Sequence, residues 1–382
     1  MQTIYLDYNA TTPVEPGVVE EMLPFFSRHF GNPSSLHRLG RAADEAIETA
    51  RQRVAQLIGA DSDEIVFTSG GTESNNLALF GVMRRFPPSS HFIVSAIEHP
   101  AVAQPTARLR ELGYKVTVVG CDSQGVVFAD RVADAIQDDT RLVSVMLANN
   151  EVGTVQPLME IAEHCRAREI PLHTDAAQAI GKVRVHVSEL DVDLLTIAGH
   201  KMYAPKGVGA LYVRRGTPLQ PFLRGADHEA GLRPGTENTP YLVGLGFASQ
   251  LAAKDLDLGG DVVASQRDQL QAKLVEQVPG AIVHGGRSPR LPNTLSISFP
   301  GVTGQRLLEE IPELCASTGA ACHSGEVQSS ATLSAMGVER DVAAGTIRLS
   351  LGRHTTDEEA ERAANLLTDA WERLSRSPLK NL

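Results

Sequence analysis

Seven short apolar runs punctuate the first part of the chain: EIVFTSG at residues 64–70, HFIVSAI at 91–97, KVTVVG at 115–120, RLVSVML at 141–147, IPLHTDA at 170–176, DLLTIAG at 193–199 and GALYVRR at 209–215. Runs of this length and composition predict strands. Between them lie longer stretches with an apolar face, such as RAADEAIETARQRVAQLIGA, which starts at Arg41 and is stopped by Gly59, and PLMEIAEHCRARE at 157–169. These predict helices. Strands alternating with helices predict an α/β fold whose large domain has a mostly parallel, seven-stranded, doubly wound sheet with ligand groups at the strand ends. Composition shifts at KDLDLGGD, residues 254–261, and three further strand patterns follow: AIVHGG, NTLSISF and IRLSLGR. With a helix over 357–371 they predict a smaller C-terminal α/β domain, so the large domain is placed at 16–255 and the small one at 256–382.

A chain of 382 residues with 42% hydrophobic content can bury a large core and is long enough for two domains. Its 35 basic and 46 acidic residues leave a net charge of −11 with no basic stripe, which argues against nucleic acid as a partner. MQTIYLDYNA carries no secretory pattern, and no apolar run reaches the ~18 residues of a membrane span. Four cysteines without a CxxC pair argue for a reducing compartment and against a disulfide framework or a metal site. The expectation is a cytoplasmic protein with no membrane partner and no metal.

Three strings carry candidate chemistry. In AGHKMYAPKG, Lys201 follows His200 where a strand ends, the placement of a lysine that holds an aldehyde cofactor as a Schiff base; alone, GHK also fits a surface lysine in a turn closed by Pro205 and Gly207. In HTDAAQAIGK, Asp175 ends an apolar run and suits a carboxylate set against a pyridine nitrogen, although an Asx-turn or helix cap uses the same residue. FTSGGTESNN offers Gly71 and Thr72 at a helix start, where free backbone N–H groups can bind phosphate; an ordinary strand-to-helix turn has the same look. Of the cysteines, Cys121 and Cys165 read as core, and Cys315 as packed at an element's end. Cys322, in GAACHSGEVQSSA beside His323, reads as a thiol in an exposed loop.

Together with YLDYNATTPV at Tyr5, GNPSSLH at Gly31, EHPAV at Glu98, NNEVGTVQP at Asn149, RPGTENTP at Arg233 and LSLGRHTT at Leu349, these strings make nearly the whole chain resemble the cysteine desulfurases of the class V aminotransferase group. The resemblance implies a type I pyridoxal phosphate-dependent transferase fold. It also implies a homodimer with its sites at the subunit interface, and residues 1–15 joining the small domain. It implies pyridoxal 5'-phosphate on Lys201, with Asp175 at the ring nitrogen, Gln178 donating to the ring hydroxyl and His99 stacked over the ring. Thr72 and His200 would take the phosphate, and Thr236 would reach it from the other subunit. Arg353, with Asn32 and Asn150, is implied as the clamp on the substrate carboxylate. Lys201 or His99 would be the base, and Cys322 the nucleophile that takes sulfur from L-cysteine as a persulfide and leaves L-alanine. The sulfur would go to an acceptor protein in iron–sulfur cluster assembly or another sulfur-transfer pathway; the C-terminus lacks the extended tail used to dock a cluster scaffold.

Two positions depart from the usual pattern. Ala198 stands where many desulfurases have a serine that donates to the phosphate, and the glycine run before His-Glu is broken into RGADHE, with Asp227 in it. STGAACHS and RPGTENTP resemble selenocysteine lyase equally well, which makes L-selenocysteine the alternative substrate. A non-catalytic docking subunit of a sulfur-transfer complex is the alternative of a different class.

Overall fold

The seven apolar runs form one sheet in the computed structural model, which describes residues 3–257, 261–318, 322–323, 326–327 and 330–376. After β1 (Ile4–Tyr5) come β2 (Ile65–Thr68), β3 (His91–Ser95), β4 (Lys115–Val119), β5 (Thr140–Ser144), β6 (Leu172–Asp175), β7 (Leu194–Ala198) and β8 (Gly209–Val213). The sheet order is β2-β8-β7-β6-β5-β3-β4. Neighbours from β4 to β7 pair in parallel, and β8 runs antiparallel to both β7 and β2. Central strands are buried on both faces, which is why they read as unbroken apolar runs rather than alternating ones. Edge strand β4 is the exception and exposes Lys115 and Val118.

Alternate residues of each strand enter two cores. Ile65, Phe67, Ile93, Leu195 and Ile197 pack with Ile47, Val54 and Ile58 of helix Arg38–Ile58 and with Leu245 of helix Thr239–Asp257. Val66, Phe92, Val94 and Leu194 pack instead with Leu77, Phe80 and Met83 of helix Gly71–Met83 and with Leu109 of helix Pro100–Glu111. The two helices of the first face cross closely at Gly246, where a Cβ would sit 2.5 Å from Ala50 Cα.

A second sheet is built from β9 (Ile282–His284), β10 (Thr294–Ser298), β12 (Ser317–Thr318) and β15 (Thr346–Ser350), antiparallel in the order β12-β15-β10-β9. Helices Asp261–Gln277 and Asp357–Arg376 cover it, and Leu274, Leu295, Ile297, Ile347, Leu349 and Leu367 fill the core. Strand β1 pairs in parallel with β11 (Leu314–Cys315), and Ile4 and Leu6 enter this core rather than those of the large sheet. Two more short strands, β13 (Cys322–His323) and β14 (Glu326–Val327), form a hairpin. Among the described residues no helix is long and apolar enough to cross a membrane.

Candidate active site

Five strands point their C-terminal ends at one edge of the large sheet, and the loops that leave them enclose a cavity of about 280 Å³. Gly71, Thr72, His99, Asn150, Asp175, Gln178, His200 and Lys201 all line it. The sheet edge thus brings together residues from five separate strings of the sequence.

Helix Gly71–Met83 aims its N-terminus at the cavity. Gly70, its cap, adopts φ 141°, open to glycine but strained for other residues, and Thr68 Oγ1 ties the turn to Ser74 Oγ at 2.8 Å. The first N–H groups of the helix have no helical acceptor and face this opening. A Cβ on Gly71 would lie 3.3 Å from the Cβ of Ala198, so these small residues keep the wall open. One turn on, Asn75 Nδ2 donates to Asp175 Oδ2 at 2.7 Å, while Ala177 N donates to Oδ1 at 3.0 Å. This orients a carboxylate that is only 5% exposed. Asn75 Oδ1 is buried without a partner among the described residues.

His99 caps helix Pro100–Glu111 by accepting from Ala101 N at Nδ1, 3.1 Å, which puts the proton of the neutral ring on Nε2. Desolvation holds the imidazole below its usual range; Asp175 opposes that shift, and Lys201 and Arg348 add to it. The preceding Glu98 braces the loop after β5 through Met146 N at 2.8 Å, and burial pushes its carboxyl up to about 8.

The turn carrying Lys201 is held by the N-terminal segment. Thr12 Oγ1 accepts from Tyr203 N at 2.9 Å, Thr11 Oγ1 meets His200 Nδ1 at 3.2 Å, and Lys201 Nζ donates to Asn9 O at 2.5 Å and Ala10 O at 2.8 Å. Burial, reinforced by Arg348, lowers Lys201 to about 8, and burial with the nearby lysines lowers His200 to about 4. Gln178 Nε2 donates to the same Asn9 carbonyl at 3.0 Å, and Asn9 Nδ2 reaches Asn150 O at 3.3 Å. Asn9, Asn75 and Lys182, whose Nζ donates to Gln178 Oε1, were not among the residues singled out from the sequence.

The two arginines of IRLSLGR part company. Arg353 lies on the other side of Lys201, in a separate cavity of about 320 Å³. Its guanidinium is paired with Glu15 at 3.0 Å and with Asp255, and it stacks 4.5 Å over the Tyr203 ring. A guanidinium already neutralised by two carboxylates is a poor receptor for a third, so the expectation for Arg353 is not met. Arg348 is the alternative: 9% exposed, it donates to Asn150 O at 2.9 Å, Asp7 Oδ1 at 2.8 Å and Ser317 Oγ at 3.0 Å, and its Nε has no partner among the described residues. Strand alternation could have found it, since Ile347 and Leu349 enter the core and Arg348 and Ser350 take the other face.

Asn32 and Thr236 are exposed and do not line the cavity in this chain; Asn32 Oδ1 caps Ser34 N at 3.0 Å. The Cys322 side chain lies outside the described residues, although its backbone pairs with Val327. The described ends of its loop are both tied to the site. Ser317 bonds Arg348 and donates to Asp7 at 2.9 Å, and Ser330 donates to Glu151, the neighbour of Asn150. Burial raises the thiols of Cys121 and Cys165, the latter to about 12, which leaves both inert. In the broken glycine run, Glu229 is structural: it accepts from Arg51 at 2.7 and 2.8 Å and from Phe67 N at 2.7 Å. Asp227 is exposed, and nothing in the structure explains it.

Residues 4–363 match the family model described as Aminotransferase class-V. The chain is 42% identical over 384 residues to a cysteine desulfurase of Nostoc sp. strain PCC 7120, covering 100% of this chain and 96% of that one. It superposes on a NifS-like protein with a TM-score of 0.90 and 38% identity, over 98% of this chain and 100% of the other. A structure described as SspA in complex with cysteine matches with a TM-score of 0.82 and 35% identity, over 93% of this chain and 100% of that one.

Proposed function

The chain belongs to the class V aminotransferase family, whose members depend on pyridoxal phosphate, and from that premise we propose that it removes the sulfur of L-cysteine, releases L-alanine and holds the sulfur on Cys322 as a persulfide. The observation that carries this reading is a lysine of lowered basicity facing, in one cavity, a buried carboxylate and an open helix N-terminus. That set fits the cofactor. Lys201 would hold its aldehyde carbon, Asp175 its ring nitrogen, Gly71, Thr72 and His200 its phosphate, and His99 and Gln178 its ring. When bound, it supplies an electron sink next to the substrate Cα.

The protein's own groups do the rest. Asp175, fixed by Asn75, presents its carboxylate where a ring nitrogen must stay protonated. Lys201 Nζ, partly neutral near pH 8, can accept the Cα proton. Arg348, in place of Arg353, receives the substrate carboxylate with Asn150, because its buried guanidinium keeps an Nε donor that has no partner among the described residues. Ser317 and Ser330 anchor the Cys322 loop at the side of the cavity where Arg348 would place the substrate.

Exposed apolar side chains at Leu23, Phe26, Phe30 and Leu36, 56–88% accessible, support a homodimer in which Asn32 and Thr236 complete the neighbouring site. A sulfur-acceptor protein in iron–sulfur cluster or related pathways is the destination this chemistry requires. The test is alanine release and persulfide formation by the purified yellow enzyme. Cys322→Ser should keep the cofactor band and form no persulfide; sustained steady-state desulfuration by that variant would overturn the reading. Turnover of L-selenocysteine alone, assayed alongside, would favour the selenocysteine lyase alternative.

A further inference from the structure

Beside the catalytic lysine stands a second lysine with no assigned work. Lys182 borders the Arg353 cavity, and its Nζ reaches inward to Gln178 Oε1 at 2.7 Å and Asn9 Oδ1 at 3.2 Å. We propose that Lys182 is a positioning residue, whose amine fixes the Gln178 amide so that Nε2 and not Oε1 faces the cofactor ring hydroxyl; this rests on the cofactor reading above.

The bonding pattern specifies the amide at both ends. Asn9 O can only accept, and it takes one Nε2 hydrogen at 3.0 Å. Lys182 supplies a donor to Oε1 at the other end, which leaves the second Nε2 hydrogen for a ligand. Gln178 is 5% exposed, so an unpaired Oε1 would be costly. Asn9 Oδ1 is also served by Asn293 Nδ2 at 3.0 Å and needs Lys182 less. Burial, and then the facing cations Lys201 and Arg348, push Lys182 well below the ordinary lysine range. Two acceptors face the amine, and it serves both.

Without Lys182 the buried Oε1 loses its donor, and turning it toward the ring hydroxyl is the available relief. A donor at that oxygen favours its anionic form, and an acceptor disfavours it. The exchange makes the neighbouring imine nitrogen hold its proton to higher pH. The test is a pH titration of the visible cofactor band in reconstituted holoenzyme. Lys182→Met should move the midpoint up by on the order of one unit. Lys182→Gln, which keeps a donor, should titrate close to wild type. Gln178→Leu should shift as Lys182→Met does, and Lys182→Met on that background should add nothing, because Lys182 acts through Gln178. If Lys182→Met does not fold, Lys182→Leu takes its place with the same expectation. An unshifted Met or Leu variant, an equal shift in Lys182→Gln, or an additive double variant would overturn the inference. A wild type with no visible band would instead defeat the cofactor reading and this inference with it.

Discussion

Replacing Arg348 by lysine keeps a positive charge in the middle of β15 but removes the planar fork. In the structure this guanidinium is 9% exposed and its Nε has no partner among the described residues, so the site is desolvated and that donor is ready for an oxyanion. A charge-assisted hydrogen bond in such a place is worth ~1.5–3 kcal/mol. Losing that bond to the substrate carboxylate should therefore lower kcat/KM for L-cysteine by about 10- to 150-fold. Lysine is a better probe than alanine, because alanine would leave Asp7 without its 2.8 Å partner and would confuse affinity with folding. Arg353→Gln is the companion. It leaves Asp255 without its arginine and Glu15 with His354 alone, and because Asp255 is 46% exposed, solvent screening limits the cost to about 1 kcal/mol of stability. Its kcat/KM should stay within about threefold of wild type, against the tenfold that one kept or lost hydrogen bond commands. Initial rates of alanine formation, with thermal unfolding to check the fold, separate the two. If Arg353→Gln, with its fold intact, loses more kcat/KM than Arg348→Lys, the assignment of the carboxylate to Arg348 is refuted.

Incorporation of pyridoxal phosphate into the apoenzyme should speed up between pH 6.5 and 8 and then level off, since Lys201 near 8 is about one-quarter neutral at pH 7.5, against roughly one part in a thousand for an ordinary lysine; a rate still climbing at pH 10 would contradict the lowered value. Glu98→Gln should stabilise the fold increasingly as pH rises. The raised carboxyl carries no penalty below the unfolded value of 4.5 and a growing one up to about 8, worth at most roughly 5 kcal/mol, so urea unfolding of the two proteins should converge at pH 5 and diverge at pH 9. Arg51→Met strands the buried Glu229 carboxylate and should cost about 3–5 kcal/mol in urea unfolding; a loss below about 1 kcal/mol would show that the pair is not buried as described.

What the sequence made legible follows the range of the interactions. Doubly buried strands declare themselves as apolar runs, and helix starts as glycine and threonine after a run, so the seven-stranded sheet and the residues at its edge could be read directly. The two-residue strands β1 and β11 to β14 are too short to show a period. Asn75 is one polar residue in a buried helix, and its partner Asp175 lies 100 positions away. Lys182 looks like any lysine after a glycine until it meets Asn9, 173 positions away. Arg348 was within reach, because the alternation of β15 separates it from its core-facing neighbours, but the loop arginine five residues later drew the assignment. Asn32 and Thr236 require a second chain, which a single chain's pattern does not encode.

The pairing of β1 with β11 sets a schedule for birth on the ribosome. Ile4 leaves the exit tunnel early, yet its partner Leu314 is made about 310 residues later. At ordinary elongation rates of about 5–20 residues per second, the amino-terminal strand waits roughly 15–60 s for it. Asn9 and Ala10, the acceptors of the Lys201 amine, sit on that waiting segment. The large sheet can close while translation continues, but the lysine gains its finished surroundings only when the last third of the chain has emerged. The yellow colour of a bound cofactor would thus mark a completed molecule.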